Sequence, residues 1–179
     1  MRVDPIRDRE LLGRMKTYLK KTNIRNYIMF LTGIHCGYRI SDILQLQVKH
    51  VKGWDIRGFE KKTGSYRQVR MPKELKKEIR AYIVGKDEEE YLFKSRKGQN
   101  QPITPKRAYE ILRELADDFE LEHIGTHTLR KTYGYQHYRK FKNVATLMKA
   151  LNHSSQEDTL IYIGVIQEEL DEQQGKIDW

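Results

Sequence analysis

The stretch from Asn23 to Gln47, NIRNYIMFLTGIHCGYRISDILQLQ, leaves the least freedom to the fold. Ile28, Leu31, Thr32 and Ile34 fall on one side of a helix, and so apolar a run has to be buried. Gly37 then supplies a C-terminal break, since a residue without a Cβ easily enters the left-handed conformation that ends helices. The expected order is a buried helix, a tight turn, and a second short helix starting near Ser41.

The flanking segments extend this pattern. Asp4-Pro5 reads as an N-cap and first helical position, and Ile6, Leu11, Leu12, Met15 and Leu19 recur at helical spacing up to about Thr22. From Val48 to Met71 the pattern turns strand-like. Trp54, Ile56 and Phe59, followed by KKTGSYRQVRM around Gly64 and a stop at Pro72, predict an antiparallel sheet of about three strands. Helical periods return at 73–84, at 105–119 behind Thr104-Pro105, at 127–141, at 143–151, and in a final pair around Tyr162 and Gln167. The predicted class is α+β, mainly α. A chain of 179 residues suits one domain with a full core, here spanning 1–179 with 165–179 as a C-terminal tail.

Composition excludes several function classes. Cys36 is alone, so it forms no internal disulfide and no cysteine zinc site, and the six histidines show no metal-ligand spacing. Neither a metal nor another cofactor is expected. No apolar run approaches the roughly 18 residues of a membrane span, and MRVDPIRDRE is charged where a signal peptide is apolar. The expectation is a soluble, cytoplasmic protein without a membrane partner. The formal charge of +9, from 34 Lys+Arg against 25 Asp+Glu, favours a polyanion by counterion release. Basic residues concentrate in 60–80, including lysines read as surface groups between 73 and 80, and in 127–140. The segment after Ser155 carries acids almost exclusively. One end is suited to anions and the other to protein.

THTLRKTYGYQHYR places Thr126 as a helix N-cap, with His127 and Arg130 on one face of the first turns. A helix N-terminus with two such donors suits a phosphate. A lone H-x-x-R is ordinarily a cap and a salt bridge, so its companions carry the argument. They are Arg39 in GYRISDILQL, Lys62 in KKTG beside a hairpin turn, His153 in LNH, and Tyr162 nine residues beyond it, from 153 to 162.

This ordered set resembles the tyrosine recombinases, the phage integrase family, over a span from about Thr32 to Ile163. The resemblance implies a helical catalytic domain that cuts and rejoins double-stranded DNA through a 3′-phosphotyrosyl link, without metal or ATP, as in integration or excision of a mobile element. It implies Tyr162 as nucleophile, Arg39 and Arg130 as the pair gripping the scissile phosphate, and His127 and His153 as further donors. Lys62 matches the turn lysine that protonates the leaving 5′-oxygen, with Lys61 as its adjacent rival. Asp42 stands where the family often has a carboxylate that orients the first arginine. Lys61, Arg67, Arg70 and Lys131 are the candidate DNA-contacting cations. Two departures are Asn152 where the family usually has Gly and Lys131 where histidine is frequent. Only about thirty residues precede the Gly37 turn, so the family's N-terminal core-binding domain is expected to be absent. Family tails pack on a neighbouring protomer, which implies self-association into a tetramer on DNA through the acidic tail. Two rivals stay open at this point, a type IB topoisomerase-like enzyme and a non-catalytic DNA-binding regulator derived from an integrase.

The residue types suit this chemistry. Attack on a phosphodiester adds charge to its equatorial oxygens, where a fixed donor contributes roughly 2.7–4 kcal/mol, and planar arginine forks fit that geometry. A phenol with a free pKa near 10 needs cations and a proton acceptor to ionise near pH 7. A sugar alkoxide leaves poorly, so a general acid is required.

Overall fold

A computed structural model of the chain describes residues 3–177. Its elements in order are α1 (Arg9–Thr22), α2 (Ile24–Cys36), α3 (Ile40–Ile43), β1 (Asp55–Phe59), β2 (Tyr66–Arg70), α4 (Lys73–Tyr82), α5 (Pro105–Asp118), α6 (Thr126–Phe141), α7 (Val144–Ala150), α8 (Gln156–Ile163) and α9 (Val165–Gln174). The mainly helical class with a small antiparallel sheet is as the sequence predicts.

The central member is α2, with Tyr27 through Ile34 and Cys36 buried. It packs against α1, α4 and α6. Each fully buried Leu, Ile or Phe here contributes roughly 1.5–3 kcal/mol, which outweighs the indifferent helix propensity of the β-branched and aromatic members. The approach to α6 is close, since a Cβ on Gly33 would lie 2.6 Å from Leu129 Cδ1. Gly37 ends α2 at φ 61°, in the left-handed region, with the Tyr133 ring directly against it.

Three local expectations need correction. Helix α1 begins at Arg9 with Asp8 as its cap, accepting from Glu10 N at 2.8 Å, so Asp4-Pro5 is not the N-terminus. That segment is instead held extended along α6, because Asp4 N donates to the His123 carbonyl and Ile6 N to Thr132 Oγ1, both at 2.9 Å. Gly125 rather than Thr126 is the cap position of α6, its N–H donating to Thr128 Oγ1. The sheet has two strands rather than three, paired from Asp55↔Arg70 to Phe59↔Tyr66. The missing strand is lost because Val48–His50 winds into a 3-10 turn, which His50 Nδ1 closes by accepting from Gln47 N. Among the described residues only isolated bridges, Gln47↔Tyr91 and Lys94↔Pro102, remain beyond the hairpin.

A second, smaller core of Tyr135, Leu147, Leu151, Ile163 and Val165 joins the end of α6 to α7, α8 and the start of α9. The expected tail is therefore helical and folded back on its own chain. Tyr135 Oη donates to Glu168 at 2.8 Å, while Leu170 and Ile177 stay exposed. Positions 178 and 179 of the expected tail lie outside the described residues. Among the described residues no helix is long and apolar enough to cross a membrane.

Candidate active site

The break at Gly37 turns the chain so that Arg39 follows the end of α2, beside the first turns of α6 that carry His127 and Arg130. The turn after α7 brings His153, α8 brings Tyr162, and the β1–β2 hairpin carries Lys62 at its exposed tip.

Arg130 is 2% exposed, and burial lowers its pKa from the ordinary value. Its Nη1 donates to the Gly37 carbonyl at 2.7 Å and its Nη2 to the Leu151 carbonyl. One guanidinium thereby joins the turn after α2 to the turn after α7, and its other N–H groups are left for an anion. Arg67 makes a parallel bracket one residue earlier on each side. Its Nη2 donates to Cys36 O at 3.1 Å and to Ala150 O at 2.7 Å, and its guanidinium stacks 4.3 Å from the Tyr38 ring centroid.

Arg39 donates through Nη1 to Glu60 Oε2 at 3.1 Å, and Arg67 donates through Nη1 to the other oxygen, Oε1, at 3.2 Å. Glu60 is 2% exposed. Burial pushes its carboxyl up, but Arg39, Arg67 and the Thr63 hydroxyl together hold it below the ordinary value. Glu60 thus occupies the place expected for Asp42. Asp42 is buried too, but its Oδ1 accepts from the Lys61 backbone N–H at 3.0 Å, and its Oδ2 has no partner among the described residues.

The nucleophile candidate is distinguished by its hydroxyl. Tyr18, Tyr82 and Tyr135 donate to Asp118, the Leu92 carbonyl and Glu168. Tyr162 Oη is buried and has no hydrogen-bond partner of ordinary geometry among the described residues. Burial raises its pKa, while Arg130, through its charge and a weak N–H contact to the phenol oxygen, and then Arg39 pull it down. Lys131 Nζ lies 5.2 Å from the Tyr162 ring centroid.

His153 Nδ1 is 3.2 Å from Thr159 Oγ1, whose own proton goes to the Ser155 carbonyl at 2.7 Å. The hydroxyl oxygen therefore accepts from Nδ1–H, which leaves Nε2 as an acceptor in the neutral ring and a donor only in the imidazolium. Burial, then Arg130 and Arg39, lower its pKa. His127 is exposed, yet partial burial followed by Arg130, Lys131 and Arg39 also lowers its pKa.

Arg39, His127, Arg130, His153 and Tyr162 are thus brought within one electrostatic neighbourhood. The hairpin cations divide. Lys61 and Lys62 are exposed, whereas Arg70 pairs with Asp55 at 3.0 Å on the outer side of the strand. Arg67 turns inward instead of toward solvent. Residues Ile56, Gly58 and Glu60 share the inner face of the strand, and that alternation is the signal by which Glu60 could have been found. In the sequence it sits beside two lysines and looks like a solvated charge.

Known proteins resemble the chain in sequence and in fold. Residues 5–169 match the phage integrase family. The "Probable integrase/recombinase YoeC" of Bacillus subtilis (strain 168) is 47% identical over 164 residues, covering 91% of this chain and 90% of the relative. The crystal structure of XerA recombinase superimposes with a TM-score of 0.76 at 17% identity, over 99% of this chain and 66% of that one. The XerH site-specific recombinase bound to its difH substrate gives 0.72 at 19% identity, over 90% of this chain and 51% of that one. The chain thus spans nearly all of the Bacillus relative but only about half to two thirds of those two solved recombinases.

Proposed function

The chain belongs to the phage integrase family of tyrosine recombinases, and from that premise we propose that it cleaves and rejoins double-stranded DNA by transesterification at Tyr162. The observation that carries this reading is the buried Tyr162 hydroxyl, which has no well-formed hydrogen bond among the described residues yet lies close enough to Arg130 for its charge and N–H groups, and then the charge of Arg39, to act on it. In the free protein burial prevails and the phenol stays protonated. A bound phosphodiester supplies the missing geometry, since its oxygens take the free N–H groups of the two arginines and set the phosphorus beside the phenol.

Tyr162 Oη then forms a bond to phosphorus as the bond to the 5′-oxygen breaks. The leaving oxygen takes its proton from Lys62 Nζ, and the phenolic proton passes to a neutral imidazole, His127 or His153. His153 serves as a donor to the phosphate only in its charged form, which a bound phosphate dianion-like transition state favours. The ester retains the energy of the broken bond, so a 5′-hydroxyl reverses the step without a nucleotide. Integration or excision of a mobile element, and assembly as a tetramer on DNA, belong to the same proposal. The exposed Leu170 and Ile177 of the acidic tail support a protein contact there.

The test is selection of covalent adducts from a nicked duplex library with a randomised core. The unmodified chain is expected to yield a denaturation-resistant protein–DNA species that Tyr162→Phe does not. Equal recovery from both proteins overturns the assignment, and relaxation of supercoils without strand exchange points to a topoisomerase-like activity.

A further inference from the structure

We propose that Glu60 is a positioning residue for strand cleavage, a buried carboxylate that fixes the Lys62 turn to Arg39 so that proton donor and phosphate grip are presented together. This rests on the function proposed above and concerns a residue with no assigned part in it.

The hairpin tip is otherwise poorly restrained, because residues 61 to 66 are all exposed. Glu60 is the last buried residue before them, and it closes the turn in three ways. Its backbone N–H donates to Ser65 O at 2.9 Å, its carbonyl accepts from Gly64 N at 2.7 Å, and Oε2 accepts from Thr63 Oγ1 at 3.2 Å. The same Oε2 accepts from Arg39. One oxygen atom therefore touches both the loop that carries Lys62 and the arginine of the phosphate site. Oε1 extends the link through Arg67 to Ala150 O, three residues before His153. The lysine turn, Arg39 and the His153 turn are consequently tied to a single carboxylate. Asp42 adds a second tether by accepting from Lys61 N.

Misplacing a catalytic group by about 1 Å can cost roughly 100-fold in rate. Loss of Glu60 is expected to act on the general acid most strongly, because Lys62 stands on the least restrained segment. Glu60→Gln keeps the shape but presents an amide N–H₂ to one of two guanidinium groups, so it breaks at least one link. Glu60→Asp keeps the charge with a shorter reach.

The experiment compares two versions of a duplex recovered in the selection above, one with the ordinary scissile phosphodiester and one with sulfur at the bridging 5′ position. A thiol pKa near 8.5 means that a thiolate leaves without a proton donor. Lys62→Ala should fail on the ordinary duplex and recover on the sulfur duplex. Glu60→Gln should lose about 100-fold on the ordinary duplex and regain most of it on the sulfur duplex, with binding unchanged within about threefold. Equal loss on both duplexes, or no loss on either, overturns the proposal. Circular dichroism and melting establish that each variant is folded. If Glu60→Gln does not fold, Glu60→Asp carries the same comparison. If Lys62→Ala or Tyr162→Phe cleaves the ordinary duplex normally, it is the reading of the site that fails instead.

Discussion

The rings of His153 and Tyr162 meet edge to face, with centroids 5.0 Å apart and planes at 86°. The contact holds the phenol by its ring, while its oxygen has no well-formed hydrogen bond among the described residues and faces Arg130. Tyr162→Phe should therefore lower stability by no more than about 1 kcal/mol, because the buried hydroxyl it removes makes no well-formed hydrogen bond, while abolishing the DNA adduct. Denaturant unfolding beside adduct formation checks this. A large loss of stability would mean that the hydroxyl is structurally engaged.

Arg130 predicts the opposite combination. Arg130→Ala leaves the Leu151 carbonyl without its side-chain donor and the Gly37 carbonyl with only the long 3.5 Å bond from Arg67 Nη1, at about 1–3 kcal/mol for a group left buried and unpaired. It should lower stability and also abolish cleavage, while DNA binding at a temperature where the variant is folded falls much less. Equal loss of binding and cleavage would remove Arg130 from the phosphate site.

Lys76 is not one of the surface lysines that its sequence neighbourhood suggests. It is 5% exposed, and its Nζ donates to the carbonyls of Val51, Lys52 and Gly53. Lys76→Ala should reduce the melting temperature without changing the salt dependence of DNA binding. Lys73→Ala and Lys77→Ala, at exposed positions, should leave the melting temperature unaltered. If these face DNA, each lowers the slope of log K against log salt by about 1.

A Cβ on Gly134 would lie 2.6 Å from Ile163 Cγ2, next in sequence to Tyr162. Gly134→Ala should cost about 1–3 kcal/mol through overpacking and slow adduct formation without altering any group at the phosphate. Ile163→Ala should cost less in that background than alone, which a double-mutant cycle measures. Strict additivity would show that α8 does not take up the strain.

Five histidines, His35, His50, His127, His137 and His153, have pKa values held below 6.5, in each case first by burial. Below that pH the unfolded chain binds more protons than the folded one, so stability falls as pH falls. Melting temperature should decline between about pH 7 and pH 5.5. A flat profile across that range would contradict the desolvation of these rings, four of them half-buried and His127 exposed.

The helices and the site were legible to different depths. The apolar run of α2 and its stop at Gly37 follow from periodicity, and so do α4 to α7 within a residue or two, while the final pair of helices was placed without bounds. Arg39, His127, Arg130, His153 and Tyr162 were singled out by the resemblance of their ordered motifs to the family, not by spacing alone, and the fold brings them near one another. The start of α1 was not, because Asp4-Pro5 carries a helix signal that contacts with His123 and Thr132, distant in sequence, override. The third strand failed for a related reason, as a local bond from Gln47 to His50 bends the chain out of pairing. The exchange of Asp42 for Glu60 beside Arg39 depends on which carboxylate faces inward across the hairpin. That is settled by tertiary packing and not by neighbours in the chain.

Helix α8 comprises eight residues, Gln156–Ile163, and ends at Gly164 with φ 79°. Two turns of helix have little stability of their own in water, so this segment is held by Thr159, Ile163 and the Val165 that follows it. Arg130 and Arg67 do not depend on it, since their carbonyl partners lie before it. Fraying those two turns therefore withdraws the phenol while the cationic cradle stays assembled. Under the function proposed above, a chain built this way would hold DNA unharmed for as long as one short segment is out of place, and the hazard of cutting would be set by a local equilibrium rather than by whether DNA is bound.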